Sequence, residues 1–499
     1  MTKHSFATAL ILGSALFATA ADDFASAFKE GKFDGRFRSQ YFVTDWDMHD
    51  GTNKDATATG FAVGGSLLYK TAPLYGLSVG AGLYTTQNPG GWTEEDDGRN
   101  MTSTAGKLNA TTSADLFLRE GSGATPKSGT DARYLVPYGE GYAVLAQAYL
   151  QYDIEKSKIK AGRFLMTNPW ITPNDTKMIP IAVEGAELIS NDISNTHIQV
   201  DYADKIKERG MTHFGNMADT GDTPDDIKSH YTTLYPIIAA PIGSARTEGD
   251  APDVTIAGVT NKSIDGLELQ GWVMHWPDLV DQGLLEANYA LEAGDAIVSL
   301  GGRFIKQNDK GAGAIINPLT TSSTTGNGDH DNSIDSYLWA VRAVVNYGST
   351  QFLLSTSHTD DGADMIAPWR GFLTQGYTRS MTQTDWNANT DSYKAQLNND
   401  LGQFVSGLST MLSYSIYDRD PSKTPYQSMT NRAYQNDDTT QWNFDVLYKC
   451  SGSLKGLELF ARFMDQNNDI DKTNVIGGTT TNAFDSSNRE MRLEANYRF

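Results

Sequence analysis

The sequence predicts an all-β protein, a transmembrane antiparallel β-barrel, on three observations. From Lys32 onward apolar residues recur every second position, the spacing of a strand with two unlike faces. The chain opens on an export segment and closes on Phe499 in mid-pattern, at the end of an amphipathic strand. Export combined with tall two-faced strands is what a barrel that crosses a membrane without helices requires.

In the first segment Lys3 and His4 precede an apolar run from Phe6 to Phe17, which ends in Ala18-Thr19-Ala20. A short charged region, an h-region of about a dozen residues and an A-x-A site make a cleavable signal peptide. Residues 1–20 are therefore expected to be removed, leaving 21–499 as one barrel domain. The apolar run falls short of the roughly 20 residues that span a bilayer.

The body of the chain alternates. Phe33, Phe37, Tyr41 and Val43 share a face opposite Asp34, Arg36, Arg38 and Gln40. Phe61, Val63, Leu67 and Tyr69 stand opposite Ala62, Gly64, Ser66 and Lys70, and Leu77, Val79, Ala81 and Leu83 follow the turn at Ala72-Pro73. Val144, Ala146, Ala148, Leu150, Tyr152 and Ile154 are read as one face against Gln147, Tyr149, Gln151 and Asp153. Similar rows run from Leu285 to Leu291, Tyr337 to Tyr347, Trp442 to Tyr448 and Leu457 to Phe463. The strands are about ten residues long, and aromatic residues often open or close the apolar face. Ionised groups sit mid-strand on the other face, where a soluble sandwich would keep neutral residues and a wet lumen accepts charge. Turning Arg342 outward would put a cation in lipid at about 2–4 kcal/mol near the midplane. The last strand alternates Met491, Leu493, Ala495, Tyr497 and Phe499 with Arg492, Glu494, Asn496 and Arg498. Its terminal aromatic resembles the assembly signal of bacterial outer-membrane proteins, which assigns that role to Tyr497 and Phe499.

Composition excludes other classes. Sixty-one Asp and Glu against 40 Lys and Arg give a formal charge of −21, so no nucleic-acid partner is expected. At 39% hydrophobic residues a polytopic helical membrane protein is ruled out, and a lone Cys450 cannot form an intrachain disulfide. Short connections at 72–75, 155–157 and 451–455 suit periplasmic turns; long polar ones at 88–138, 205–263, 307–334, 418–439 and 465–488 suit external loops. The acidic clusters Glu94-Glu95-Asp96-Asp97 and Asp437-Asp438 read as solvated loop surface, with divalent bridges to lipopolysaccharide as the alternative.

Catalysis finds little support. H-E-x-x-H and P-loop motifs are absent. One G-x-S-x-G match, Gly76 to Gly80, runs into a strand with no helix to make a nucleophile elbow. His197, His275 and His358 lie in strand-like segments, and His330 lies in a loop without metal-ligand spacing. No enzyme activity, cofactor or metal is expected.

Three stretches go beyond a generic barrel. The first holds Gly162-Arg163-Phe164, Asn168-Pro169, Asn174-Asp175-Thr176-Lys177, Pro180 and Glu184-Gly185-Ala186-Glu187-Leu188. The second is Asp385-Trp386-Asn387-Ala388 with Tyr393 beyond it, and the third is Phe28 to Lys32 leading into Gly35-Arg36-Phe37-Arg38. In this order they resemble the OprD-type outer-membrane porins, with Trp386 for the family's Phe, Asn389 where Pro would stand, and Lys177 for the more usual Arg. The resemblance implies an 18-stranded barrel with long external loops, narrowed by inward-folded constriction loops. It also implies a monomer, with a trimer left open.

A ladder of basic residues facing acidic ones is a further implication. Alternation supplies Arg36, Arg38, Lys70, Arg163, Arg303, Arg342, Arg462 and Arg492 as inward basic candidates. Asp34, Asp201, Glu286, Asp445, Glu458 and Glu494 are the acidic ones, and Asp175, Lys177 and Glu184 are assigned to the constriction loop. Each single arginine could equally serve only to pair a neighbouring carboxylate. The function implied is passive diffusion of small polar or charged solutes, amino acids and small carboxylates among them. The rivals are a general cation-preferring pore and a structural or adhesive barrel. Expected partners are outer-membrane lipid, lipopolysaccharide, the barrel-assembly machinery and the solutes themselves.

Overall fold

A computed structural model describes residues 21–46, 56–87, 89, 141–217, 252–313, 333–366, 369, 375–381, 385–420, 438–468, 474–476, 479–481 and 487–499. The predicted signal peptide, the cluster at 94–97, Asp437 and His330 lie outside them. A short helix, α1 (Phe24–Lys29), comes first and was not anticipated from the sequence. Seven strands follow: β1 (Lys32–Trp46), β2 (Ala56–Lys70), β3 (Leu77–Gln87), β4 (Tyr142–Ile154), β5 (Ser157–Phe164), β6 (Ala182–Ser190) and β7 (Thr196–Lys207). Next come β8 (Val254–Ile264), β9 (Leu267–Trp276), β10 (Val280–Ala293), β11 (Ala296–Asp309), β12 (Ser336–Tyr347) and β13 (Thr350–Thr359). The last are β14 (Thr390–Asp400), β15 (Leu408–Arg419), β16 (Thr439–Lys449), β17 (Leu457–Asn468) and β18 (Asn488–Arg498).

Each strand pairs antiparallel with its neighbours in chain order, and β18 pairs with β1 from Arg36–Arg498 to Trp46–Asn488. The sheet thus closes on itself as an 18-stranded barrel, which leaves no edge exposed to lipid. Gly215–Asn216 adds a two-residue strand beside β7, and residues 474–476 pair with 479–481 outside the barrel. No helix among the described residues is long and apolar enough to cross a membrane.

Burial follows the pleat. On β3, Leu77, Val79 and Leu83 are 47%, 42% and 49% exposed, whereas Ser78 and Tyr84 are 1% and 3% exposed. The apolar face therefore points out to form the lipid belt, and the polar face points into the lumen. Ser78 of the G-x-S-x-G match lies in this extended strand and not at an elbow.

Two expectations are corrected. Gly82 pairs with Gln147 but Leu83 pairs with Leu145, so β4 carries a bulge at Ala146. The extra residue exchanges faces beyond it: Val144 and Ala146 are buried inside, and Leu145 is the outward residue. The loop read at 205–263 contains β8 up to Ser263, and β8 turns into β9 through Asp265-Gly266 alone. Asn261, Lys262 and Ser263 gave its second half a loop-like composition.

The turns at the end bearing Ala21 and Phe499 are short, as periplasmic turns are. The connection from β10 to β11 is Gly294-Asp295, where Gly294 supplies the positive φ (63°) that a two-residue hairpin needs. Chain closure sits at this end. Phe499 exchanges backbone hydrogen bonds with Gly35, and its ring lies over that glycine and stacks on Phe37 at 5.3 Å.

Candidate functional site: a lumen narrowed by two loops

The connection between β5 and β6, residues 165–181, folds inward instead of outward. Asn168 starts it, accepting the N–H groups of Trp170 and Ile171 at 3.0 and 2.8 Å in an Asx-type turn. Met166, Trp170, Ile171, Met178, Ile179 and Ile181 are all buried, so apolar burial holds the segment inside. Its strand of departure needs a glycine. Gly162 has φ 118°, and a Cβ there would lie 2.4 Å from the Ala148 carbonyl oxygen.

The tip of this loop reaches β1. Asp175 pairs with Arg36 and, at 2.9 Å, with Arg38. Arg38 also donates to the backbone carbonyls of Asp175 (3.0 Å) and Lys177, and to Glu494 at 2.8 Å. Gln40 donates to the Thr176 carbonyl at 3.1 Å, and Arg209 to the Thr176 hydroxyl at 2.7 Å. Two guanidinium groups and two carboxylates therefore tie the loop across the barrel.

In the connection from β13 to β14 the described residues 360–366, 369, 375–381 and 385–389 also fold inward, a second such segment that was not among those predicted. Gln282 donates to the Ile366 carbonyl at 2.7 Å, Gln307 to the Asp364 carbonyl at 3.0 Å, and Trp369 Nε1 to the Met217 carbonyl at 2.8 Å. Asp385, wholly buried, accepts from the hydroxyls of Thr378 (2.7 Å) and Ser357, which closes the loop onto β13. Asn389, in the place of the family's proline, has φ 50°, a conformation that proline's ring forbids. Trp170 from the first loop donates to Gln282 on β10 and joins Trp276, Ile366 and Trp369 in one buried apolar cluster. The two loops thus brace one another.

This second loop carries Tyr377 to the basic wall. Its ring centre lies 4.7 Å from the Arg303 guanidinium carbon and 4.5 Å from that of Arg342. Glu286 pairs with Arg303 and lies 3.7 Å from Arg342, which donates to Asn288 at 2.7 Å and to the Gly376 carbonyl at 2.9 Å. Two cations share one carboxylate here.

The remaining predicted residues fall as follows. Arg462 is held by Asp445 through bonds of 3.2 and 3.0 Å, and Arg492 pairs with Glu490 and covers Phe42. Arg163 pairs with Glu184 at 2.9 Å; Glu184 lies on β6 and not on the constriction loop, and it also meets Lys205 at 3.4 Å. Glu458 meets Lys449 at 3.7 Å, and Asp34 is exposed near the terminal end of β1. Lys70 has no ion pair among the described residues. Asp201 is buried and accepts from Asn168 (2.9 Å) and Gln199 (2.8 Å), without an ion pair among the described residues. Lys177 is buried in the loop, its carbonyl bound by Arg38.

Sequence reasoning missed Lys158, Lys160 and Glu187, which form a further group with Lys–Glu distances of 3.8 and 3.1 Å. The alternation of Ile159 and Ala161 with Lys158 and Lys160 was the signal that marked them. Lys394, which donates to the Arg379 carbonyl at 2.8 Å, was also missed. His275 and His358 contact Asp281 and Asp391, and His197 contacts Asn191. No cluster among the described residues could hold a metal ion.

The barrel resembles solved outer-membrane structures. Pseudomonas aeruginosa OpdK with vanillate superimposes at a TM-score of 0.65 and 14% identity, covering 95% of this chain and 99% of that one. Acinetobacter baumannii OccAB3 gives 0.65 at 16% identity, covering 94% and 99%, and OccAB1 from the same organism gives 0.66 at 12%, covering 97% and 98%. No curated protein matches the sequence. The model of the outer membrane porin, OprD family, matches residues 119–499. On that match, the chain belongs to the OprD family of porins, channels and not enzymes of the bacterial outer membrane.

Proposed function

We propose that this porin is a narrow passive-diffusion channel for small polar or charged solutes, with small carboxylates as its preferred class and amino acids as zwitterionic members of it. The observation that carries the reading is the Arg303–Arg342 pair. Both side chains stay partly accessible, at 13% and 20% exposure, and both approach the carboxylate of Glu286. The two guanidinium groups stand beside the ring of Tyr377, in a passage where low dielectric strengthens fixed charges. An entering carboxylate can replace lost water with guanidinium hydrogen bonds. A zwitterion can use Glu286 as well. OpdK, similar in fold, has been solved with vanillate, itself a small carboxylate.

Arg36, Arg38, Arg462 and Arg492, each matched to a carboxylate, serve in this reading to hold the loop and the wall. The cation-preferring rival draws on the acidic excess of 61 against 40. Phe499 and Tyr497 are assigned to recognition by the assembly machinery, and one barrel is assigned as the working unit.

Single-channel recording from the purified, refolded protein in planar bilayers tests the reading. Small steps blocked by carboxylates, with the block weakened in Arg342→Gln, are expected. Large steps indifferent to every carboxylate would replace it with the general pore, and absence of conductance with the structural barrel.

A further inference from the structure

The helix ahead of β1 has two unlike faces, although it spans only six residues. Asp23 caps it by accepting the Ser26 N–H at 2.7 Å, a bond that holds the exposed Asp23 carboxyl below the usual carboxylate range. One face is small: Ala21 and Ala27 are buried against Ala72, with Leu74 alongside. Backbone bonds fix that contact, from Ala72 N–H to the Ala27 carbonyl and from Ala21 N–H to the Pro73 carbonyl, each 2.9 Å. The helix is thus clamped under the β2–β3 turn.

Its other face is aromatic. Phe24 and Phe28, four residues apart and so on one side of the helix, have ring centres 5.0 Å apart, yet they remain 71% and 46% exposed. Phe28 stacks on Tyr69 at 6.5 Å, and Tyr69 lies 4.6 Å from Phe33. The Tyr69 hydroxyl donates to the Phe28 carbonyl, and its ring occupies the space that a side chain at Gly31 would need. Tyr69 shares the outward face of β2 with Leu67, as Phe33 shares that of β1 with Phe37. The row Phe24–Phe28–Tyr69–Phe33 therefore continues the barrel's lipid-facing surface past the last strand residue and onto the helix. Ala25 and Lys29, also exposed, lie on a third side.

We propose that α1 is an interfacial anchor that seats Phe24 and Phe28 in the phospholipid of the periplasmic leaflet, with Ala25 and Lys29 turned to the periplasm. Aromatic side chains are favoured at that depth, and an amphipathic segment lies in the interface plane with its apolar face down. In water the same contiguous aromatic patch would be a liability. Continuity with the lipid belt selects lipid over a protein partner, because Tyr69 and Phe33 belong to both surfaces. The anchor sets the depth of the turn end beside the seam where β18 closes on β1.

The test uses the full barrel in Cys450→Ser, carrying either Phe24→Cys or Ala25→Cys labelled with an environment-sensitive fluorophore. Both are refolded into vesicles of phosphatidylethanolamine and phosphatidylglycerol. Lipid bearing a nitroxide near the headgroup is expected to quench the label at 24 several-fold more than aqueous iodide does, with the order reversed at 25. Equal behaviour at the two sites, or iodide dominating at 24, would overturn the anchor. Shielding of 24 from both quenchers would overturn it in favour of a protein surface or a second copy. The label at 25, together with heat-modifiable migration of each variant, identifies a barrel that has failed to fold, and Lys29→Cys then replaces Ala25→Cys as the solvent-side reference.

Discussion

Two arginine pairs line the same lumen and differ in what surrounds them. Arg36 and Arg38, at 9% and 3% side-chain exposure, face Asp175 and Glu494, so two cations meet two anions, and Arg38 adds two backbone carbonyls. Arg303 and Arg342, at 13% and 20%, both meet Glu286 and stand beside the ring of Tyr377, and Arg342 also donates to Asn288 and the Gly376 carbonyl. The first pair is matched in charge by the protein. The second is the more accessible to a solute. Inward basic residues in this barrel thus differ in burial, which residue type alone does not reveal.

The contrast breaks most visibly in Arg38→Ala. Removing one partner of a buried ion pair costs about 3–5 kcal/mol, because the other charge stays buried unmatched. Glu494, at 9% exposure, would be left in that position, and the loop carbonyls would lose their donor. Urea unfolding from lipid vesicles should show that loss; a change below about 1 kcal/mol, the scale of a solvated pair, would erase the distinction from the second site. Arg342→Gln is expected to leave unfolding nearly unchanged and to weaken carboxylate block roughly tenfold, which corresponds to about 1.4 kcal/mol. Glu286→Gln should act with the opposite sign. Loss of that negative charge beside two guanidinium groups would tighten block by roughly fivefold, or about 1 kcal/mol, and shift reversal potentials toward anions. If Glu286→Gln weakened block instead, the carboxylate would be organising the arginines and not merely neutralising one of them.

Much of the fold was legible, because a lumen and a lipid phase impose the strictest period a sequence can show. Arg342 and Asp445 face inward simply because the alternative is charge in hydrocarbon. The bulge at Ala146 was not legible, since an alanine fits either face and one extra residue leaves the local pattern intact. Strand β8 was hidden because Asn261, Lys262 and Ser263 resemble loop composition. At the site, the candidates Arg36, Arg38 and Asp175 came from alternation and a family motif, but their meeting did not. Asp175 lies 139 residues from Arg36 along the chain, and only the inward fold of 165–181 brings them together. Tyr377 left no sequence signal at all: it sits in an irregular segment with no period, and its role depends on arginines from β11 and β12.

That residue provides the finest test of the comparison. Tyr377 offers each guanidinium the face of a ring, an interaction worth about 0.5–1 kcal/mol at an accessible site and more when desolvated. Phenylalanine keeps both faces, so Tyr377→Phe should change carboxylate block by less than about twofold on that scale. Tyr377→Leu keeps much of the apolar bulk but removes the quadrupole, freeing Arg303 and Arg342 to bend toward Glu286. Block should then weaken by roughly threefold, the equivalent of about 0.7 kcal/mol, while unfolding from vesicles stays close to that of the parent protein. Equal block in the Phe and Leu variants would mean that the ring only fills space. The guanidinium groups on this wall would then be positioned by Glu286, Asn288 and the Gly376 carbonyl.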